Sequence, residues 1–390
     1  MYLKKTISNL TDVALRITKQ LLTTEGKGKN MVYSPLSLQV LLSSVTAGSK
    51  GPTKKQLLSF LKSKSSDELN SHFSHLVPLV LSDGSTRGGP CVNCANSLWV
   101  EQSLTVKPSF KRMLVNDYNA VIKEVSFGTD PDKARVQVNS WTKKETKGLI
   151  PEALPPGSVD ENTMLLLLNT IYFKGVWSDQ FDPSATKERK FRLLDGSTVE
   201  APFMIESYGW HYVKAFDDFK VSKLPYKQGK DKERRFSMYF LLPNSRSGLP
   251  ALVERVCSEP EFLDCHLPEI QREPGALKIP KFKIKSNFLA SEILMKLGLV
   301  LPFDGNGDFS EIVESGIGDA EIIHKSVIEV DEGGTKAAAV SIVHCGEADC
   351  AGQLIKTIDF VADHPFMFFI REEITGTVLF IGHVLNPLEE

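Results

Sequence analysis

The stretch DEGGTKAAAVSIVHCGEADCAGQ, residues 331–353, is unusual for a segment so near the end of a large chain. Two glycines precede a run of small residues, and two cysteines and two acids follow before the apolar C-terminal segments begin. Because Ala and Gly are poor strand formers, nothing local makes this segment a strand at rest. We predict an exposed loop over about residues 333–356, and on its own this pattern is typical of a mobile surface loop.

Alternate residues of this stretch fall into two chemically different sets. Neighbouring side chains of a β-strand point to opposite faces. One face would carry Thr335, Ala337, Ala339, Ser341 and Val343, and the other Lys336, Ala338, Val340, Ile342 and His344. The first set is small enough to slide between existing strands, while the charge of Lys336 would stay on the face that water reaches. The pattern predicts a loop that can later become a central strand.

Length favours two domains, whereas composition favours one, and we give more weight to composition. The chain has 390 residues, which is more than a single core usually holds and favours two domains. Charged residues make up 24% and hydrophobic residues 42%, as in an ordinary globular protein, and no linker-like stretch divides the chain. We therefore expect a single domain over residues 1–390.

Charge and apolar patterning exclude several classes of partner. The net charge of -2 gives no electrostatic reason to bind nucleic acid or an anionic membrane, and no apolar run of about 18 residues could span a bilayer. Leu10, Val13, Ile17 and Leu21 follow helical spacing instead of forming the continuous apolar block of a secretory signal. We expect a cytoplasmic monomer, with the extracellular space as the alternative location.

Helical patterns dominate the first part of the chain and strand patterns the second, which predicts an α+β fold without a βαβ repeat. The nearly continuous apolar run TMLLLLNTIYF, residues 163–173, indicates a central strand covered on both faces. Asn169 interrupts that run, and a buried amide is costly unless it is hydrogen-bonded. Residues 276–286 have the pattern of one strand, and residues 365–385 predict a hairpin that turns near Thr375 and Gly376.

The sequence lacks the motifs of catalysis and cofactor binding. GxSxG, HExxH, Walker, GxGxxG and EF-hand patterns do not occur, so the chain is not expected to be an enzyme. Cys91 and Cys94 form the only CxxC, which is a weak zinc or redox signal without a second pair. His344 with Cys345 and Cys350 is an equally weak metal pattern. We expect no metal and no cofactor.

Several longer blocks of the sequence identify a protein family far more specifically than these short patterns do. They follow one another along nearly the whole chain: YSPLSL at 33–38, WTKKETKGLIPEAL at 141–154, LNTIYFKGVW at 168–177, FSMYFLLP at 236–243, IPKFKI at 279–284, HKSVIEVDEGGTKAAA at 324–339 and DHPFMFFIREEITGTVLFIGHVLNP at 363–387. In these blocks the chain resembles the serpin family, and within it the plant serpins often called serpin-Z.

The resemblance implies an α+β serpin fold with three β-sheets, eight or nine α-helices and an exposed reactive loop. It also implies that a protease cleaves the loop, whose N-terminal part then inserts into the large sheet before the acyl-enzyme is hydrolysed. The hinge of the loop corresponds to Glu332, Gly333, Gly334, Thr335, Lys336, Ala337, Ala338 and Ala339. The gate where the central strands must part corresponds to Ser34, Ser37, Asn169 and His324. Insertion would begin at Trp177, Lys281 and Glu332, the last two as an ion pair.

The family's register also locates the bond that a protease would cut. It lies between Ala348 and Asp349, and the competing choice is the bond between Asp349 and Cys350. The implied partner is a target protease of the serine or cysteine type, held as a covalent acyl-enzyme complex. No Lys or Arg lies between Lys336 and Lys356, so a trypsin-like protease would leave its buried acid unpaired. Ala348 would suit a small elastase-like pocket, and Asp349 an aspartate-directed protease.

Two features of the loop depart from inhibitory members of the family. Lys336 stands where these usually carry Glu, and Val340, Ile342 and Val343 are larger than the alanines typical there. Slower insertion of a bulkier segment would turn an inhibitor into a substrate. The alternative function is therefore a non-inhibitory serpin that acts as a carrier, storage or interaction protein.

Overall fold

The computed structural model describes residues 2–206, 210–272, 274–314, 316–335 and 357–390. The helices are α1 Tyr2–Thr23, α2 Pro35–Ala47, α3 Gly51–Phe60, α4 Ser66–Val80, α5 Pro108–Tyr118, α6 Pro131–Glu145, α7 Leu249–Ser258, α8 Phe262–Cys265 and α9 Ala290–Lys296. The strands are β1 Met31–Tyr33, β2 Cys91–Glu101, β3 Ala120–Val125, β4 Leu165–Val176, β5 Lys187–Arg192, β6 Thr198–Glu206, β7 Tyr212–Ala215, β8 Phe219–Pro225, β9 Phe236–Pro243, β10 Pro274–Pro280, β11 Phe282–Leu289, β12 Glu321–Asp331, β13 Gly334–Thr335, β14 Ile358–Val361, β15 Phe366–Glu372 and β16 Val378–Val384. Within the described ranges, no helix is long and apolar enough to cross a membrane.

The strands form three sheets, as predicted. One six-stranded sheet, called sheet A below, has the order β11-β12-β13-β4-β2-β3, and β12 also pairs directly with β4. A second six-stranded sheet has the order β1-β16-β15-β9-β8-β7, and a four-stranded sheet has the order β14-β10-β6-β5. The predicted α+β class and the predicted eight or nine helices are also confirmed for the described part of the chain.

β4 owes its central place in sheet A to its continuous apolar run. Leu167 and Ile171 pack into the larger core of the molecule, whereas Leu166 and Leu168 pack into a second core together with Trp99. Because neighbouring side chains of a strand alternate, both faces of β4 are apolar and covered, as the sequence predicted.

The C-terminal hairpin is confirmed. β15 and β16 pair antiparallel, and the buried carboxylate of Glu372 accepts hydrogen bonds from the backbone N–H groups of Ile374 and Thr375 in the turn. Gly376 has a φ of 81°, in the left-handed region that glycine adopts most easily. The turn therefore lies where the sequence predicted it.

One strand prediction is wrong. Residues 276–286 do not form a single strand, because β10 ends at Pro280, β11 begins at Phe282, and the two strands belong to different sheets. Pro280 has no backbone N–H with which to continue its ladder, and Lys281 donates its own N–H to the carbonyl of Pro202. The change of sheet carries β11 into sheet A and brings the Lys281 side chain to Glu332.

Candidate functional site

The predicted gate corresponds to the seam between β12 and β4. The two strands pair in parallel from Glu321 opposite Leu166 to Val327 opposite Tyr172. Beyond that point β13 lies between them and pairs antiparallel with both. We call the directly paired part the lower half of the seam and the part beyond it the upper half. The lower half is closed, whereas in the upper half the start of the hinge already separates the two strands.

All four predicted gate residues come together at the lower half of the seam, where Ser34 and Ser37 at the start of α2 contact His324 and Asn169. Ser37 Oγ donates to Asn169 Oδ1 at 2.8 Å, and the backbone N–H of Ser34 donates to His324 Nε2 at 3.2 Å. Asn169 Nδ2 donates in turn to Asn96 Oδ1 on β2 at 2.6 Å. Each of the four gate residues is 0% exposed. The gate is thus a buried, uncharged hydrogen-bond network that links β2, β4 and β12 to the start of α2.

Local sequence explains why Ser34 and Ser37 reach the gate. Ser34 is the N-cap of α2, where its Oγ accepts the backbone N–H of Ser37 at 3.3 Å. Pro35 occupies the first turn, whose N–H groups have no partner within the helix. The cap therefore helps to fix the orientation of both serines towards sheet A.

His324 is neutral inside the gate. Burial lowers its pKa to about 3, because no partner compensates a charge at this position. The rings of Phe288 and Tyr33 surround the imidazole, with centroids at 5.3 and 6.1 Å. A proton taken up by His324 would therefore place an unpaired charge at the centre of the seam.

Residues 177–181, called the clamp below, hold the backbone of the hinge. The N–H of Trp177 donates to the carbonyl of Gly333 at 3.0 Å, and the N–H of Phe181 donates to the carbonyl of Glu332 at 3.1 Å. The indole N–H of Trp177 donates to the carbonyl of Asp331 at 3.0 Å. Trp177 also stacks on Tyr226, with ring centroids 4.5 Å apart. Residues 331–333 are therefore bound to the clamp at three successive carbonyls.

The predicted ion pair also lies at the hinge. Lys281 Nζ is 2.9 Å from Glu332 Oε2, with side chains 36% and 13% exposed. Thr186 Oγ1 donates to the other carboxylate oxygen at 2.7 Å. Burial raises the pKa of Glu332, but the hydrogen bonds from Thr186 and Lys281 outweigh it, so the pKa lies below its ordinary value. The carboxylate is therefore charged and held by two partners.

Gly334 and Thr335 fit between the strands for steric reasons. A Cβ on Gly334, whose φ is 145°, would lie 2.1 Å from the carbonyl oxygen of Gly175, so no larger residue can take its place. Thr335 is 0% exposed, and its hydroxyl is 2.8 Å from the hydroxyl of Tyr226. The buried position of Thr335 agrees with the face to which the alternation assigned it.

The remaining hinge residues and the predicted scissile residues lie outside the described residues: Lys336, Ala337, Ala338, Ala339, Ala348, Asp349 and Cys350. Sequence reasoning did not find Asn96, Thr186 and Tyr226, although the structure brings them to the gate and the hinge. Asn96 stands among the apolar residues of β2, a signal that could have identified it. Thr186 and Tyr226 carry no such local signal.

Burial raises the pKa of both thiols of the CxxC pattern. Cys91 and Cys94 are both free. Burial raises the pKa of Cys94 to about 12, despite hydrogen bonds with Asn169 and Asn96, so the reactive thiolate is disfavoured. Across the described ranges, no group of three His, Cys, Asp or Glu side chains is arranged to hold a metal ion.

Comparisons with known proteins identify the family of the chain. The family model of the serpins, the serine protease inhibitors, matches residues 8–387. The chain belongs to the serpin family. It is 47% identical to Serpin-ZX of Arabidopsis thaliana over 395 residues that cover 100% of both chains. It is also 47% identical to Serpin-ZXA of Oryza sativa subsp. japonica, covering 99% of this chain and 98% of the relative.

A solved plant serpin has the same fold. The native stressed conformation of Arabidopsis AtSerpin1 superposes with a TM-score of 0.92 at 46% identity, covering 100% of both chains. The predicted resemblance to plant serpins is thereby confirmed, together with the serpin fold. Members of this family are protease inhibitors and not enzymes, and their partners are target proteases.

Proposed function

We propose that this serpin inhibits its target as a suicide substrate. The protease cuts the reactive loop, and the hinge side of the loop then inserts between β12 and β4 while the protease is still attached as an acyl-enzyme. Strand addition of this kind exchanges an exposed loop for a central strand with partners on both edges.

The observation that carries this proposal is the position of β13. Gly334 and Thr335 already pair with both flanking strands, and Thr335 is buried. A segment that begins between two strands can continue by adding ladder hydrogen bonds, each worth about 1 kcal/mol net. The small residues Ala337 and Ala339 would follow Thr335 on the same face. In this proposal, cutting the loop removes its connection to β14 and leaves the hinge side free to add to sheet A.

The target is proposed to be a serine or cysteine protease that is not trypsin-like. Its cleavage site is the bond between Ala348 and Asp349, or the next bond towards Cys350. An elastase-like pocket would accept Ala348, whereas a basic pocket would select Asp349. An Arg-directed protease gains no charge pairing at either bond.

The test is incubation with elastase-like, trypsin-like and caspase-like proteases, followed by denaturing electrophoresis and mass analysis of the cut bond. We expect an adduct that survives denaturation with at least one of the first and third classes. An Ala348→Arg variant is the matched control, because it should acquire an adduct with the trypsin-like enzyme. Complete cleavage without an adduct and without a rise in melting temperature would overturn the proposal.

The second candidate is a non-inhibitory serpin that acts as a carrier, storage or interaction protein. It is favoured by Lys336, which replaces the usual Glu, and by the bulk of Val340 and Ile342. Such a protein would be cleaved in the same assay as an ordinary substrate. A Lys336→Glu variant that restored the adduct would assign the defect to insertion and not to protease recognition.

A further inference from the structure

A small cavity lies directly under the clamp. Asp179 and Phe181 of the clamp line one side, and Glu206 at the end of β6 and His211 just before β7 line the other. The cavity has a volume of about 20 Å³ and is too small for an organic ligand. Two titratable side chains therefore face each other beneath the backbone that holds the hinge.

His211 brings an unused nitrogen into this cavity. The residue is 7% exposed, and its Nε2 is buried without a hydrogen-bond partner among the described residues. Its backbone is fixed by two hydrogen bonds with Arg272, of 3.0 and 2.8 Å. A buried polar atom without a partner costs free energy, so a stable fold normally supplies one. The nearest candidate is Glu206 Oε2, 3.8 Å away.

The Glu206 carboxyl can supply the hydrogen-bond donor that His211 Nε2 lacks. Burial, and then the charge of Asp179, raise the pKa of Glu206 to about 7. Burial lowers the pKa of His211, only partly offset by the charge of Asp179. Just below neutral pH, a protonated carboxyl therefore faces an imidazole whose Nε2 can accept a hydrogen bond from it.

We propose that Glu206 and His211 share one proton across this cavity and that the shared proton strengthens the contact between the clamp and the hinge. The proton comes from solvent as the pH falls, and it forms the hydrogen bond between the carboxyl and Nε2. When the pH rises it returns to solvent, leaving a carboxylate that repels Asp179.

No other charged group around the cavity, among the described residues, opposes a proton shared by Glu206 and His211. Lys223 approaches from β8, but its Nζ is 2.7 Å from Glu373 Oε2 and is already paired. Among the described residues of the lining, Asp179 on the clamp is the remaining charged side chain, and Tyr212 on β7 is the remaining titratable one. Neither Asp179 nor Tyr212 can supply a positive charge that would hold Glu206 ionised.

The cavity is connected to the hinge through the clamp backbone. Phe181 lines the cavity, and its N–H binds the carbonyl of Glu332 at 3.1 Å. Pro225 also lines it, and its carbonyl accepts the N–H of Ser178 at 2.8 Å. Closing the carboxyl–imidazole gap to a hydrogen bond of about 2.8 Å would draw β6 and β7 together under these contacts.

The sign of the pH effect follows from the raised pKa of Glu206. The contribution of the protonated carboxyl is lost as the pH rises through about 7. The hydrogen bond also needs a neutral His211, whose pKa is lowered by burial, so the contribution belongs to mild acid. The clamp should therefore hold the hinge more firmly in mild acid than above neutral pH. The consequence for loop insertion rests on the proposed function, but the shared proton does not.

The shared proton can be tested on the full chain by NMR of carbon-13-labelled histidine. We expect the His211 ring signal to shift with a midpoint near pH 7, and Glu206→Gln to abolish that step. Glu200→Gln is the matched control, since Glu200 is an exposed residue of the same strand. A His211 signal that does not move above about pH 6.5, or that is unchanged in Glu206→Gln, would overturn the shared proton.

The link to the hinge can be tested by amide hydrogen exchange of a peptide that covers the clamp. After correction for the intrinsic pH dependence, we expect exchange about threefold slower at about pH 6 than at about pH 8. The difference should vanish in Glu206→Gln and persist in Glu200→Gln. Equal protection at both pH values would overturn the coupling. Neither readout uses a protease, so failure of the inhibitory function would leave both results interpretable.

Discussion

The lower and upper halves of the seam between β12 and β4 are held in different ways. In the lower half the strands pair directly, and the uncharged, fully buried Asn169 and His324 bind each strand to the start of α2. In the upper half the strands are already separated, and the hinge is held by backbone hydrogen bonds to Trp177 and by the partly exposed ion pair of Lys281. A strand that enters from the top therefore meets the clamp and the ion pair first and the buried polar network last.

Thr335→Arg should have the largest effect, because it changes the residue that occupies the upper half. Thr335 is 0% exposed and contacts Tyr226, so an arginine there would bury a charge without a partner. We expect normal cleavage by a target protease but about tenfold less denaturation-resistant adduct. Lys336→Arg is the control on the opposite face and should leave the adduct yield unchanged. An undiminished yield in Thr335→Arg would mean that the upper half does not admit the loop.

Asn169→Ala tests the lower half of the seam. It would leave Ser37 and Asn96 without their shared partner, and we expect the free energy of unfolding to fall by about 3 kcal/mol. Denaturant unfolding measures the change. Asn93→Ala is a suitable control, because that amide donates to the Glu145 carbonyl away from the seam. Similar losses of unfolding free energy in the two variants would show that the gate network stabilises the fold no more than an ordinary hydrogen bond does.

Acid should weaken the lower half through His324. Since its pKa is lowered to about 3 in the folded chain, the unfolded chain binds the proton first as the pH falls. Stability is therefore lost from about pH 6.5 towards pH 3, by about 2 kcal/mol at about pH 5. His324→Gln keeps an acceptor for the Ser34 N–H but does not titrate.

Denaturant midpoints of wild type and His324→Gln, at about pH 5 and about pH 7.5, measure this difference. Burial also lowers the pKa of His383 to about 4, so both proteins should lose some stability in acid. Only the additional loss of the wild type reports on His324. Parallel losses in the two proteins would contradict a neutral histidine in the gate.

The ion pair of the upper half should give the smallest effect. Glu332→Gln and Lys281→Met, singly and together, should reveal a coupling energy of about 1 kcal/mol that declines with added salt, because Lys281 is 36% exposed. The more exposed pair of Lys19 and Glu254 is the matched control and should show weaker coupling. A salt-independent coupling would indicate that the upper half is as well shielded as the gate.

Particular residues show which parts of this site the sequence could predict. Asn169 is conspicuous as an amide within an apolar run, so its need for a partner follows from the sequence alone. The resemblance to serpins supplied the other gate residues and the pairing of Lys281 with Glu332. Tyr226 and Thr186 stand in ordinary surroundings, and they become recognisable only when the fold brings them to Thr335 and Glu332.

The sequence by itself determined the periodic features of this protein: the apolar run of β4, the C-terminal hairpin, and the alternation of small residues that begins at Thr335. Such features are encoded locally, because side-chain direction repeats every two residues in a strand. The tertiary structure decided the partners, since Asn169 meets Ser37 across 132 residues and Ser34 meets His324 across 290. It also decided that residues 276–286 divide between two sheets. A strand pairs with whichever neighbouring strands the rest of the fold places beside it, and this segment does not encode those neighbours.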